Sequence, residues 1–418
     1  MIKNTGFTTI DTFTIQSLFK KFQKDRLFLR PLLKEGRRTF QRLPHKGKDW
    51  KIFLIHCLLR GTTLPAIYLY QDAEDEAILH IVDGQQRLSA IFEFMLGGFR
   101  LSKAGMLKGS LQELPDEFDK CYWSDLSKEA QDRFKNVLLR VECINDPTQP
   151  GFDKLIRQTF HDYNITSTSM TSMEIWNSAY NGDFVDTLYE IKEGLGFISP
   201  GTKDLMVSKS ALENYVLLNH KIVSKTDVLR LQDMDLILSL MIAMVRGGPQ
   251  HKDEGLAELC SQYQKMDAPF KQRLIQTFME NMGILNSITE KLPSMKFCDT
   301  ELRKKHDFYS LFCAIDNLRR EEGLDADDNM EVIAHNLEAF NIYLRSYLEY
   351  IQGVRNKTVT EWDKVQTLIS VAMKKAIPEY YNSRTRDWNH NSKVSPSRSI
   401  RMNILLDIMS RRNKLPTV

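Results

Sequence analysis

One stretch restricts this chain more than any other: Ile78-Leu79-His80-Ile81-Val82-Asp83-Gly84-Gln85-Gln86-Arg87-Leu88-Ser89-Ala90-Ile91-Phe92. Its opening residues, Ile78 to Val82, read as a short buried strand. Asp83-Gly84 then punctuates the chain. Beyond it Leu88, Ile91, Phe92 and Met95 recur at i, i+3, i+4 and i+7, the spacing of an amphipathic helix. The polar residues Asp83 to Arg87 therefore sit where a strand becomes a helix. The first turn of a helix carries backbone N–H groups without intrahelical partners, together with the positive end of the dipole, so it receives phosphate readily. Gly84 admits close approach to the backbone, Gln85 and Gln86 add amide donors, and Arg87 adds a planar fork suited to phosphate oxygens. Capping accounts for part of the same pattern without a ligand. Asp83 as N-cap and Gln86 as its third-position partner would form a capping box. That leaves Arg87 unexplained, because a cation in the first turn opposes the dipole unless an anion is near.

Asp83-Gly84-Gln85-Gln86-Arg87-Leu88 resembles the DGQQR signature of the N-terminal domain of GmrSD-type restriction proteins. The resemblance implies a ParB/sulfiredoxin-like fold. It further implies binding and hydrolysis of a nucleoside triphosphate, GTP or another, with Mg²⁺, in defence against modified foreign DNA. The order around the motif is that expected of such a domain over about Phe13 to Leu101. A helix at Trp50 to Arg60 is followed by Gly61, Leu64-Pro65, a strand at Ala66 to Tyr70, a turn, the central strand and the motif helix. By the same resemblance Gln41-Arg42 ends an extended segment near the nucleotide pocket, with the basic insertion Leu43 to Lys48 separating it from Trp50. Asn164, Glu174 and Asn177 match a second phrase, in which an Asn closes one helix and Glu-Leu-Arg-Asn opens the next. Here Trp176 replaces the Arg, and Thr166 and Ser167 replace glycines. The implied site has Asp83, Gln86 and Arg87 in catalysis. Gln41, Arg42, Gly84, Gln85, Arg87 and Asn164 would contact the nucleotide, and Asn164 and Glu174 would hold Mg²⁺. Read from the residues alone, Thr171-x-x-Glu174 is a capping box and Asn164 a left-handed helix end.

A chain of 418 residues has room for two or three domains. The expected class is α+β: a small ParB/sulfiredoxin-like mixed domain over residues 1–183, then a larger all-helical domain over 184–418. Helical patterns run over Thr226–Val245, Phe270–Leu292, Glu301–Arg320, Met330–Ile351, Glu361–Ala376 and Ser397–Arg412, and a bundle or layered packing suits them. The net charge is only +3, but its distribution is uneven. From Lys374 onward ten Lys/Arg face three Asp/Glu, so this region carries +7 and the remainder about −4. A basic region on a near-neutral body points toward DNA or RNA, and a solvated helix surface accounts for it equally. The segment Asn382 to Arg401, read as a Ser/Arg/Asn-rich loop, is one candidate for phosphate contact.

Six scattered cysteines show no C-x-x-C pair, so free thiols and a reducing cytoplasm are expected. No apolar signal region opens the chain, and its longest apolar run, Leu236 to Val245, is too short to span a bilayer. His56 reads as an ordinary helix residue. Asn389-His390-Asn391 has the letters of a nuclease site without flanking strands, and no Walker lysine or nucleophile elbow is present. Three functional readings follow. The first is a Mg²⁺-dependent NTPase coupled to DNA recognition, with cleavage by a separate nuclease subunit and with possible homo-oligomers. The second is a catalytically silent DNA- or protein-binding module, to which Trp176 and the altered glycines point. The third is a ParB-like nuclease.

Overall fold

The computed structural model describes residues 8–30, 47–72, 74–103, 115–144, 156, 173, 182–200, 204–205, 207–250, 256–326, 328, 330–356, 362–388 and 396–416. The fold is α+β, in two compact units. The first comprises Met1–Asn181 with two later segments, Ile198–Ala211 and Leu229–Leu231; the second comprises Gly182–Phe197, Leu212–Val228 and Gln232–Val418.

The first unit is built on a mixed five-stranded sheet. Its described elements are β1 (Thr8–Thr14), α1 (Ile15–Gln23), β2 (Leu27–Phe28), α2 (Lys48–Leu59), β3 (Ile67–Gln71), β4 (Leu79–Asp83), α3 (Gln85–Met95), α4 (Lys128–Lys135) and β5 (Leu138–Ile144). The strand order is β1-β5-β3-β4-β2, with β1–β5 and β3–β4 antiparallel and β3–β5 and β2–β4 parallel. Period-two alternation sorts the side chains. Ile67, Leu69, Leu79, Ile81, Leu139 and Val141 join a core with residues of all four helices, while Val82 and Ile144 pack with Tyr68 and Tyr70 in a second cluster.

Local chemistry sets the helix starts. Thr14 caps α1, its hydroxyl accepting from the Ser17 N–H at 3.1 Å, and Ser127 caps α4 through the Ala130 N–H at 3.2 Å. α3 is buried on every side from Leu88 to Met95, an aromatic cluster of Phe19, Phe22 and Phe92 lying against one face and Phe99, Trp123 and Phe134 around Phe94. α2 runs antiparallel to α3. Lys51 near the start of α2 donates to Glu93 near the end of α3 at 2.5 Å, and the residues just after α2 meet the start of α3.

The second unit is helical. Its longer elements are α5 (Asp183–Gly194), α6 (Gln232–Arg246), α7 (Ala268–Glu290), α8 (Lys305–Glu322), α9 (Glu331–Asn356), α10 (Val371–Trp388) and α11 (Pro396–Met409). Two expected helices prove broken. The pattern over Thr226–Val245 is interrupted before α6 because Leu231 takes a left-handed conformation, φ 57°. The pattern over Glu361–Ala376 divides into Trp362–Leu368 and the start of α10.

The basic C-terminal region also departs from expectation. Asn382 to Trp388 completes α10, and Pro396 opens α11. Several of its cations turn inward. Arg384 Nε donates to Asp307 Oδ1 at 3.0 Å, its Nη2 reaches Asp307 Oδ2, and its Nη1 donates to Glu301 Oε2 at 3.2 Å. The fully buried Arg401 donates to the Ser310 hydroxyl and the Ser383 carbonyl. Arg398 donates to the Gln250 carbonyl at 2.7 Å and lies over the Tyr309 ring. Lys374, Lys375, Arg412 and Lys414 stay exposed. The letters Asn389-His390-Asn391 lie outside the described residues. All six cysteines are free, and among the described residues no helix is long and apolar enough to cross a membrane.

Candidate functional site

The strand-to-helix junction stands where the sequence puts it, with different internal wiring. Gly84 is the N-cap of α3, in a left-handed conformation (φ 102°), and no side chain caps the helix. Asp83 is the last residue of β4, so the Asp83–Gln86 capping box does not form. Only glycine suits position 84. A Cβ there would sit 3.1 Å from Ile67 Cγ1 and 3.3 Å from Arg87 Nη2, on backbone that L side chains rarely adopt. The first intrahelical bond runs from Leu88 N–H to Gly84 O at 3.0 Å, so the N–H groups of Gln85, Gln86 and Arg87 precede the helical ladder. Pairing between β3 and β4 slips at the same place. Leu69 faces Ile81 but Tyr68 faces Asp83, which puts one extra β4 residue beside the motif.

Arg87 does not hold its fork free. Its Nη2 donates to Asp83 Oδ2 at 2.8 Å and to the Ala66 carbonyl at 3.1 Å, and its Nη1 donates to the Pro65 carbonyl. The guanidinium thus ties the motif to the approach of β3, and its side chain is 14% exposed. The anion that a first-turn cation requires is Asp83, one turn earlier. The fork that the sequence offers to phosphate oxygens is engaged by protein acceptors here. Gln86 Nε2 donates to Gln85 Oε1 at 3.1 Å, while the buried Gln85 Nε2 has no partner.

The structure therefore brings Asp83, Gly84, Gln85, Gln86 and Arg87 together. Gln41, Arg42, Asn164 and Glu174, and with them Trp176, lie outside the described residues. Among the described residues no group of three His, Cys, Asp or Glu is arranged to hold a metal. The donor set has the chemistry for an anionic guest, first-turn N–H groups and the open NH₂ end of the Gln85 amide, while Ile67 and Arg87 fill the space beside Gly84.

Two participants were missed in the sequence. The carbonyls of Pro65 and Ala66 carry no side-chain signal. The Asp83–Arg87 pair did carry one, since i and i+4 is ion-pair spacing on a helix. Nearby, His80 is stacked between Phe28 and Tyr70 with Nε2 2.8 Å from Asp72 Oδ2. Burial pushes the His80 imidazole below its ordinary range, although Asp72 pulls the other way. His56 is fully buried with neither ring nitrogen partnered, and burial, with Arg60 nearby, lowers its pKa too.

Residues 18–181 match the family model described as GmrSD restriction endonuclease, N-terminal domain. No curated protein and no solved structure matches the chain. The match encloses the whole β4–Gly84–α3 junction and the elements that brace it, and on these grounds the chain carries a GmrSD-type N-terminal domain.

Proposed function

We propose that this protein is a component of a restriction or phage-defence type system, and that its N-terminal unit binds a nucleoside triphosphate with Mg²⁺ and hydrolyses it. One observation carries the reading: the family-matched junction presents donors and no competing carboxylate cap at the start of α3. The first-turn N–H groups and the Gln85 and Gln86 amides supply donors. Phosphoryl transfer depends on such positioning and charge stabilisation. Arg87 acts here by holding the loop in shape, with Asp83 as its counter-ion. Gln41, Arg42, Asn164 and Glu174 are proposed to complete the nucleotide and Mg²⁺ contacts. The helical unit would engage DNA or a partner such as a separate nuclease subunit, with Lys374, Lys375, Arg412 and Lys414 as its outward cations. The second reading, a module that binds without turnover, draws support from the internal engagement of Arg87.

The test is GTP and ATP hydrolysis by the full chain with Mg²⁺, with and without DNA, for wild type and Gln86→Glu. A carboxylate in the first turn favours the helix dipole but repels a polyanion. Gln86→Glu also removes the Nε2 donation to Gln85 Oε1, so it should be no more stable than wild type, and it should lose turnover about tenfold or more, roughly 1.4 kcal/mol. Binding without turnover in wild type establishes the second reading; no binding removes both.

A further inference from the structure

We propose that the groove between α10 and α11 is a docking site for an acidic amphipathic helix of a partner protein. The proposal goes beyond the nucleotide reading and does not depend on it.

The sequence of the two helices accounts for the groove. α10 and α11 run antiparallel, since Arg401 near the start of α11 donates to the Ser383 carbonyl near the end of α10. Ile400, Ile404 and Ile408 form one ridge on α11, at i, i+4 and i+8. Ala372, Met373 and Ala376 face it from α10. Two alanines are too short to fill the space beside such a ridge, and a cavity of about 280 Å³ remains. Its floor is Met373 and Ile408, both buried. Ala376, Ile400 and Ile404 are half-buried and Ala372 is exposed, so the walls reach solvent. Apolar surface continues past the Ala372 end, where Val371 is 82% exposed and Leu368 49%. Single exposed apolar residues are ordinary, but these two extend a groove that is already apolar, which marks a contact surface.

Shape narrows the occupant. The groove residues of α11 run from Ile400 to Arg411, about 16 Å at roughly 1.5 Å per residue, or three helical turns. Its volume falls short of the roughly 300–1,000 Å³ usual for small-molecule sites. A trough of this length with an apolar floor suits a helix that inserts side chains at i, i+3 or i+4, and i+7.

Charge narrows it further. At the Ala372 end Arg411 lines the groove; its Nη2 donates to Asp407 Oδ2 at 2.6 Å, and its buried Nε has no hydrogen-bond partner among the described residues. Lys375, Arg412 and Lys414 adjoin the lining residues along the chain and are exposed. Arg411 neutralises Asp407, so the remaining carboxylate of the lining is Glu379, toward the Ile400 end. Cations therefore prevail where the exposed apolar surface is widest, and carboxylates beside the partner's apolar stripe are their complement. A second copy of this face would set the same cations against each other, because a two-fold interface pairs a patch with itself. DNA would leave the apolar floor and walls facing phosphates.

The full chain would be titrated, by fluorescence anisotropy, with two labelled synthetic helices of about four turns. Both carry one leucine stripe at i, i+3 or i+4, and i+7, flanked by Glu in one and by Lys in the other. Wild type should bind the Glu peptide at least about tenfold more tightly than the Lys peptide. Ile404→Glu, which charges the apolar wall, should weaken the Glu peptide about tenfold or more. Lys375→Glu with Arg412→Glu changes exposed positions only, so the fold is kept, and it should reverse the preference between the peptides; thermal unfolding checks the fold of each variant. Equal binding of the two peptides, no binding of the Glu peptide up to about 1 mM, or unchanged preference in the charge-reversed variant overturns the proposal. If the Glu peptide fails while a labelled DNA duplex binds and is lost in the charge-reversed variant, the face belongs to nucleic acid. If the peptide fails while Ile404→Glu abolishes self-association in sedimentation velocity, a second copy covers the groove; either result also overturns the proposal.

Discussion

Replacing Arg87 separates two roles that one residue could play in the motif. In the structure its guanidinium makes three hydrogen bonds, to Asp83, Ala66 and Pro65, and thereby joins the start of α3 to the chain entering β3. Hydrogen bonds involving a charged group each contribute about 1.5–3 kcal/mol when buried. Here the discount is substantial, because Asp83 is about a third exposed and water can take over its carboxylate. Arg87→Ala should therefore cost about 2–4 kcal/mol of unfolding free energy, within the range for loss of a partly buried network. Arg87→Lys can reach only one of the three acceptors at a time and should recover less than half of that loss. Hydrogen exchange followed over residues 61–72 and 79–95 reports this unit alone, where whole-chain melting would mix two units. The protection lost in Arg87→Ala should be confined to these two segments and be little affected by salt. If Arg87→Ala leaves exchange unchanged while abolishing nucleotide binding, the bracket is incidental. The guanidinium is then the phosphate fork that first-turn chemistry invites.

Two further outcomes follow from groups whose surroundings are fixed. Arg384→Ala strands the fully buried Asp307 carboxylate and should cost about 3–5 kcal/mol; in denaturant unfolding, Arg384→Met with Asp307→Leu should recover much of it, and a stable Arg384→Ala that had merely lost salt-dependent DNA binding would contradict the internal role. Burial lowers the imidazole pKa of His56, His80 and His220, so between each folded value and about 6.5 the unfolded chain binds protons that the folded chain refuses. Stability should thus be full above about pH 6.5 and decline as pH falls through it, with the lowered carboxylates Asp72, Asp227, Glu301 and Asp307 adding a second loss below about pH 4; urea midpoints at pH 7.5 and 5.5 should show the drop, and His56→Leu should reduce it.

Much of the first unit was legible because its signals are local. A short apolar run marked β4, the segment after Leu64-Pro65 marked β3, and helical spacing marked α2 and α3. What failed was whatever depends on a neighbour distant in sequence. The capping box at Asp83 satisfies every local rule, yet Gly84 takes the cap because a left-handed residue there lets Asp83 stay in the strand and face Arg87. The break at Leu231 has no glycine or proline to announce it. Composition placed Arg384, Arg398 and Arg401 among surface cations, but their partners Asp307, Gln250 and Ser310 come from other parts of the chain.

The same physical rule connects the two units. A cation at the start of a helix needs an anion, and this chain supplies one internally more than once. Arg87 at the start of α3 has Asp83. At the start of α8, Lys304 pairs with Glu301 at 2.5 Å and Lys305 with Asp227 at 2.8 Å. Basic residues at a helix start are therefore weak indicators of a ligand when a carboxylate lies one turn before them or can be brought in by the fold. Neutral donors are a better indicator, because they have no counter-ion to account for them. Gln85 Nε2 and Ser89 Oγ differ from Arg87 in this respect: both are buried, uncharged and without a hydrogen-bond partner among the described residues.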